Sequence, residues 1–254
     1  MSRLPIFKII FGSIVFTWEK RAQLFQGLWL PALLGLCLTL YESLWAGFGS
    51  GLDLKSGGGN PAEIFIWLGL LFAATVIVST RSYQILLAKS QDGKFRFPIS
   101  WGLSETKFTL GMFGITFMFI IVLSIVSSVL MLFAQQIEGI GALGMLMFLP
   151  SIYLAGRFML VFPAVCSNDD LRLFDAFKWS WMTTRRNGAA MLFLCIVLPV
   201  SIAWGIDWIG SVSGSNALSI VSGILVWMSL PFEIAFIALS YTTLERMSKT
   251  ELAG

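Results

Sequence analysis

Six apolar runs, each close to the length that crosses a hydrocarbon core, leave this chain little choice of fold. They lie at about residues 24–48, 62–88, 107–133, 143–166, 188–208 and 218–244. In lipid, a backbone has no water to satisfy its N–H and C=O groups, so runs of this length become helices. The expected fold is all-α: one polytopic membrane domain, 1–254, with six transmembrane helices. Composition agrees. Charged residues make up 12% of the chain, about half of the roughly 25% usual in soluble domains. No polar-patterned stretch remains to build a second, soluble domain.

Charge then orients the helices. Arg3, Lys8, Lys20 and Arg21 precede the first run. Arg81, Lys89, Lys94, Arg96 and Lys107 flank or occupy the second loop, and Arg157, Arg172, Lys178, Arg185 and Arg186 the fourth. Arg246 and Lys249 lie in the tail, so Lys55 alone falls on the opposite side. Basic loops stay in the cytoplasm, which predicts a multi-pass protein of the bacterial inner membrane with both termini cytoplasmic. The basic start is not followed by a short apolar core with a small-residue cleavage site, so no removable signal peptide is expected.

Three aromatic-rich segments precede the odd-numbered runs: PIFKIIFGSIVFTWEKR (5–21), PISWGLSETKF (from Pro98) and LRLFDAFKWSWMTTRR (171–186). Ile6, Ile9, Ile10 and Ile14 recur at helical spacing, as do Leu171, Phe174, Phe177, Lys178 and Trp181. Such faces flanked by Lys and Arg suit helices lying in the cytoplasmic interface. Interfacial amphipathic helices are therefore expected over 5–21 and 171–186, and three repeated helix-plus-hairpin units over the whole chain. The unequal starts, at 5, 98 and 171, argue against a recent exact triplication.

Reaction chemistry is harder to find. Histidine is absent, which removes the usual ligand for haem b, zinc and copper, and no cofactor or metal is expected. Cys37, Cys166 and Cys195 form no CxxC and read as small buried hydrophobes. There is no HExxH, GxSxG, Walker loop or GxGxxG, so no catalytic residue is named and a non-enzyme is expected. Asp169, Asp170 and Asp175 read as a helix N-terminus rather than a cation site. The net charge of +3 is too small to suggest nucleic acid.

Charged residues within the runs are the strongest functional clues, because each is costly in lipid. They are Glu42, Arg81, Arg157 and Glu233, with Asp207 near an outer end. Arg157 lies twelve residues before Asp169 and Glu233 twelve before Glu245, about 18 Å of helix in each case. Matching depth predicts an Arg157–Glu233 ion pair across the fourth and sixth spans. The competing reading has Arg157 snorkelling to the interface while Glu233 is neutral or caps backbone released by Pro231. Arg81, eight residues before Lys89, is expected to snorkel. Arg81 and Arg157 are also candidate contacts for an anionic lipid headgroup, and Glu42 is expected near the outer headgroups.

Pro31, Pro150, Pro163, Pro199 and Pro231 read as kinks. The Gly111/Gly114 and Gly139/Gly141/Gly144 spacings permit close helix contact. Trp18, Trp101, Trp179 and Trp181 are expected as anchors at the inner interface, with Trp45 and Trp208 at the outer one.

The stretch GRFMLVFPAVCSNDDLRLFDAFKWSWMTTRRNGAAMLF, 156–193, sets out Arg157, Pro163, Asp170, Ala176, Ser180 and Asn187 in order. It resembles a pattern in uncharacterised bacterial six-helix inner-membrane proteins, including the membrane domain fused to some glycerophosphoryl diester phosphodiesterases. The opening LPIFKIIFGSIVFTWEKR is similar to the start of such proteins. The clear part spans roughly a sixth of the chain and includes nothing of a phosphodiesterase catalytic domain, so that activity is not carried over. The resemblance implies a six-helix fold close to lipid metabolism or envelope biology. The expected function is a non-enzymatic lipid-handling module, scaffold or subunit of a membrane complex. Its expected partners are membrane lipids, anionic ones among them, and another membrane protein. The alternative is a small transporter or permease. Polar residues in the spans are mostly Ser, Thr and Gly, so its substrate would be hydrophobic or lipid-like.

Overall fold

The computed structural model describes residues 4–41, 61–87, 101–134, 148–168, 170–212 and 216–252, and every regular element among them is helical. Two short helices, α1 (Ile6–Glu19) and α7 (Leu173–Thr183), accompany the long apolar ones. The latter are α2 (Arg21–Tyr41), α3 (Pro61–Leu87), α4 (Leu103–Ala134) and α10 (Asn216–Leu252), with two interrupted helices between them. The first of these is α5 (Phe148–Phe158) followed by α6 (Val161–Ser167). The second is α8 (Gly188–Leu192), a π turn (Phe193–Val197) and α9 (Leu198–Val212).

Five stretches among the described residues are long and apolar enough to cross a membrane: Phe65–Leu87, Leu103–Val129, Phe148–Ser167, Gly188–Ile206 and Ile224–Lys249. They match the second to sixth expected runs. The first run is represented by α2, and its far end, 42–48, lies outside the described residues.

Both interruptions have a proline cause. Pro163 has no N–H for the Met159 carbonyl one turn back; that carbonyl accepts the Phe162 N–H at 3.4 Å instead, and the helix breaks at 159–160. Pro199 likewise deprives the Cys195 carbonyl. The turn before it widens to π, with the Leu198 N–H reaching the Phe193 carbonyl. Pro31 and Pro231 are absorbed within continuous helices.

Successive long helices pair: α2 with α3, α4 with α5, and α9 with α10. α10 also packs on α1, α2 and α3, while α3 packs on α4 and α6. Buried side chains gather at the basic end: Val76, Val78 and Tyr83 of α3, Phe108 of α4, Leu160 to Cys166, Met191, Leu194 and Cys195, and Ile234 to Ala238 of α10. The opposite halves present Phe65, Phe117, Ile125, Trp204, Leu225 and Met228 outwards. Outward apolar side chains along these lengths suit lipid rather than water as the surrounding solvent. Gly156 makes a close crossing against backbone, since a Cβ there would lie 2.9 Å from the Leu192 Cα and 3.2 Å from its N.

α1 and α7 share a design. α1 buries Ile9, Ser13 and Thr17 and exposes Phe7, Phe11, Val15 and Trp18. α7 buries Ala176, Ser180 and Thr183 and exposes Phe174, Trp181 and Met182. Small side chains let each helix lie close on the bundle while large apolar ones face out. The segment from Pro98 departs from this pattern. Its described part leads straight into α4, a continuous 32-residue helix, so no separate surface helix precedes the second hairpin among the described residues. The acidic turn also differs from expectation. α7 begins after Arg172, with Asp175 in its first turn, while the Asp170 N–H donates to Asn168 Oδ1 at 3.0 Å. Asp169, Glu42, Trp45 and the 139–144 glycines lie outside the described residues.

Candidate anion site at the basic end

Hydrogen bonds between distant segments knit the basic end together. The Leu4 N–H donates to Asn187 Oδ1 at 3.0 Å, tying the chain's start to the head of α8. Lys107 Nζ donates to the Leu171 carbonyl at 3.0 Å, joining α4 to the approach of α7. The Ser167 and Tyr241 hydroxyls lie 3.2 Å apart, linking α6 to α10, and the Tyr241 ring packs on Trp179 with centroids 5.1 Å apart.

Two arginines sit within this end, and their surroundings differ. Arg81, 8% exposed, reaches from the last turns of α3 to Glu105 in the first turn of α4, Nη2 to Oε1 3.4 Å. The other Glu105 oxygen accepts the Gly102 N–H at 2.9 Å, so one carboxylate both closes its own helix N-terminus and neutralises Arg81. Arg81 Nη1 donates to Gln84 Oε1 at 3.2 Å. Arg81 is thus buried and compensated by protein, not extended to the surface. Glu105 was not among the expected residues. Its signal was a carboxylate at a helix start, between Arg96 and Lys107 in a loop whose charges are mostly basic.

Arg157, 6% exposed at the end of α5, has no such compensation. Its guanidinium lies over the Trp181 indole, 3.5 Å from the ring centroid, and that ring stacks on Phe158 with centroids 5.6 Å apart. Nη2 donates to the Trp181 carbonyl at 2.6 Å and Nε to Thr184 Oγ1 at 3.3 Å. The Arg157 carbonyl, at the helix break, accepts the Ser180 hydroxyl at 2.7 Å. The charged neighbour in electrostatic reach is another cation, Arg185, and the Tyr153 phenol is also close. Among the described residues no carboxylate pairs with Arg157, and Nη1 has no protein partner.

Matching depth therefore did not produce a pair. The expected Arg157–Glu233 contact is not among the ion pairs of the described residues: Arg157 turns to α7, and Glu233 meets Ser229 on its own helix, 2.9 Å away. Depth along a helix says nothing about the direction in which a side chain leaves it. The other expected residues are accounted for as follows. Trp18 is exposed beneath the Arg21 guanidinium, 4.7 Å from its ring centroid, and Trp101 Nε1 donates to Thr106 Oγ1 at 3.1 Å. Trp181 is the platform of the Arg157 site, and Trp179 is half-buried on Tyr241. Cys166 and Cys195 are buried and Cys37 is exposed.

Four residues of the 156–193 pattern now have physical roles. Ser180 holds the Arg157 carbonyl, fully buried Ala176 lets α7 approach, Pro163 breaks the helix, and Asn187 anchors the N-terminal segment. Comparison of the chain with family models, with curated proteins and with solved structures finds no match.

Proposed function

We propose that this is a non-enzymatic membrane protein that holds an anionic phospholipid at its basic end, with Arg157 as the phosphate contact. One observation carries the reading: an arginine, Arg157, that is 6% exposed, neighboured by a second cation and paired with no described carboxylate. Removing an ion from water costs several kcal/mol even after relaxation. An aromatic face returns about 2 kcal/mol when desolvated, and hydrogen bonds from a charged donor to one carbonyl and one hydroxyl return about 1.5–3 kcal/mol each, but none of these carries the opposite charge. The missing opposite charge is what a phosphate would supply, since guanidinium and phosphate match as a bidentate pair. Arg185, in electrostatic reach of Arg157, and Arg172 and Lys178, which begin and line the α7 segment, are exposed and supply the long-range attraction, about 1 kcal/mol per nearby cation.

The rest of the reading follows the same charges. α1 and α7 lie in the inner interface, the 16 basic residues other than Lys55 face the cytoplasm, and the membrane is a bacterial inner membrane. The resemblance of 156–193 to six-helix membrane domains supports a role near lipid metabolism or the envelope. A second membrane protein is a fitting partner for its exposed faces.

Native mass spectrometry of the protein released from native-lipid nanodiscs tests the proposal. The wild type is expected to retain a stoichiometric anionic phospholipid, Arg157→Gln to lose it at least tenfold, and Arg157→Lys to keep part of it. Equal retention by Arg157→Gln, with an unchanged melting temperature, removes the reading. A second reading, passage of a lipid-like substrate, has the broken α5–α6 helix as its specific support. Lipid movement between leaflets that stops in Arg157→Ala would favour it.

A further inference from the structure

α10 carries a second ionisable group within its apolar length. Glu233 stands nine residues into the Ile224–Lys249 stretch and sixteen before its end, about 14 Å and 24 Å along the helix. It is half-buried. The charged residues of the helices packed on α10 are Lys8 and Glu19 of α1, Arg21 of α2, Glu63 and Arg81 of α3, and Asp207 of α9. The described side chain that hydrogen-bonds Glu233 is Ser229, one turn back on the same helix.

The geometry at Ser229 bears on where the hydrogens lie. Its Oγ lies 2.9 Å from the Val226 carbonyl oxygen and 2.9 Å from Glu233 Oε1. A hydroxyl has one proton to donate and a carbonyl oxygen can only accept. An ionised carboxylate also only accepts, so with Glu233 charged one of these two contacts has no hydrogen between its oxygens. With the carboxyl un-ionised both are satisfied: Glu233 O–H donates to Ser229 Oγ, and Ser229 O–H donates to the Val226 carbonyl. Lipid adds its own preference for the neutral form, since a bare charge at this depth is costly.

We propose that Glu233 is a proton-binding site within the membrane span, its acid proton held by a hydrogen-bond chain through Ser229 to the Val226 carbonyl. The ligand is a proton. It is released when water or a cation enters, or when α10 changes its rotamers enough to break the chain. This site is separate from Arg157 and does not depend on lipid binding there.

The test is infrared difference spectroscopy of the full chain in phospholipid nanodiscs, wild type minus Glu233→Gln. The expected spectrum contains the carbonyl stretch of an un-ionised carboxylic acid, lost in the variant. Ser229→Ala should move that band to higher frequency, as a freed hydrogen bond requires. Glu233→Gln keeps a donor for Ser229 and is expected to melt as the wild type does. Should it fail to fold, Glu233→Asp, which retains the acid but shortens its reach to Ser229, shifts the same band. Carboxylate stretches in the difference spectrum, with no acid carbonyl band and no effect of Ser229→Ala, would overturn the proposal.

Discussion

At the scale of single residues, the two buried arginines make opposite demands. Arg81 has Glu105 at 3.4 Å, and the side chains are 10% and 1% exposed, so neither member can be relieved by water. Breaking such a pair by removing one partner typically costs about 3–5 kcal/mol, while replacing both by apolar residues is near neutral. Glu105→Gln and Arg81→Met should each lower the melting temperature in nanodiscs sharply, with Glu105→Gln also losing the charge that favours the α4 N-terminus. The double variant Arg81→Met, Glu105→Leu should recover much of the loss. If the single-variant losses simply add, the pair is not coupled as described. The sequence made Arg81 and Arg157 conspicuous, because a charge in an apolar run is visible in one dimension. Their partners were not visible, because Glu105 lies 24 residues beyond Arg81 in a flank and Thr184 lies 27 beyond Arg157.

At the scale of elements, the apolar runs marked the helices to within a few residues: 62–88 became Pro61–Leu87, and 107–133 became Leu103–Ala134. Hydropathy is a property of length, and length was enough. Interruptions were marked only as prolines; whether a proline breaks a helix, as Pro163 does, or is absorbed, as Pro231 is, depends on neighbours that take the released carbonyl. Glycine spacing was also half-informative. Gly111, which stood out, would place a Cβ at ordinary distance from Phe162, 3.5 Å, whereas Gly156, which did not, meets Leu192 backbone at 2.9 Å. Gly156→Ala should therefore destabilise by about 1–3 kcal/mol through overpacking, partly offset by the gain of about 1 kcal/mol in helix propensity. Gly111→Ala keeps that gain without the clash and should be neutral or slightly stabilising. Thermal unfolding of the two variants in one detergent decides it, and equal effects would mean that the α5–α8 crossing adjusts.

At the scale of the whole molecule, the open quantity is the number of crossings. Leu4 is bonded to Asn187 and a Cβ at Gly12 would touch Leu239 at 3.5 Å, so the chain's start lies beside the later half of α10. A chain that starts and finishes at one end of a bundle crosses an even number of times, and five stretches among the described residues are long and apolar enough to cross. We propose α2 as the sixth, since its 21 residues would span about 31 Å, close to the thickness of a hydrocarbon core. Single cysteines in a background lacking Cys37, Cys166 and Cys195 test this with an impermeant maleimide. Lys8→Cys, Lys178→Cys and Lys249→Cys should label only once the cytoplasmic face is opened, and Lys55→Cys should label from outside. Labelling of Lys8→Cys and Lys249→Cys from opposite faces would mean an odd number of crossings. It would also remove the basic end as a single inner surface, and with it the long-range attraction proposed for Arg172, Lys178 and Arg185 around Arg157.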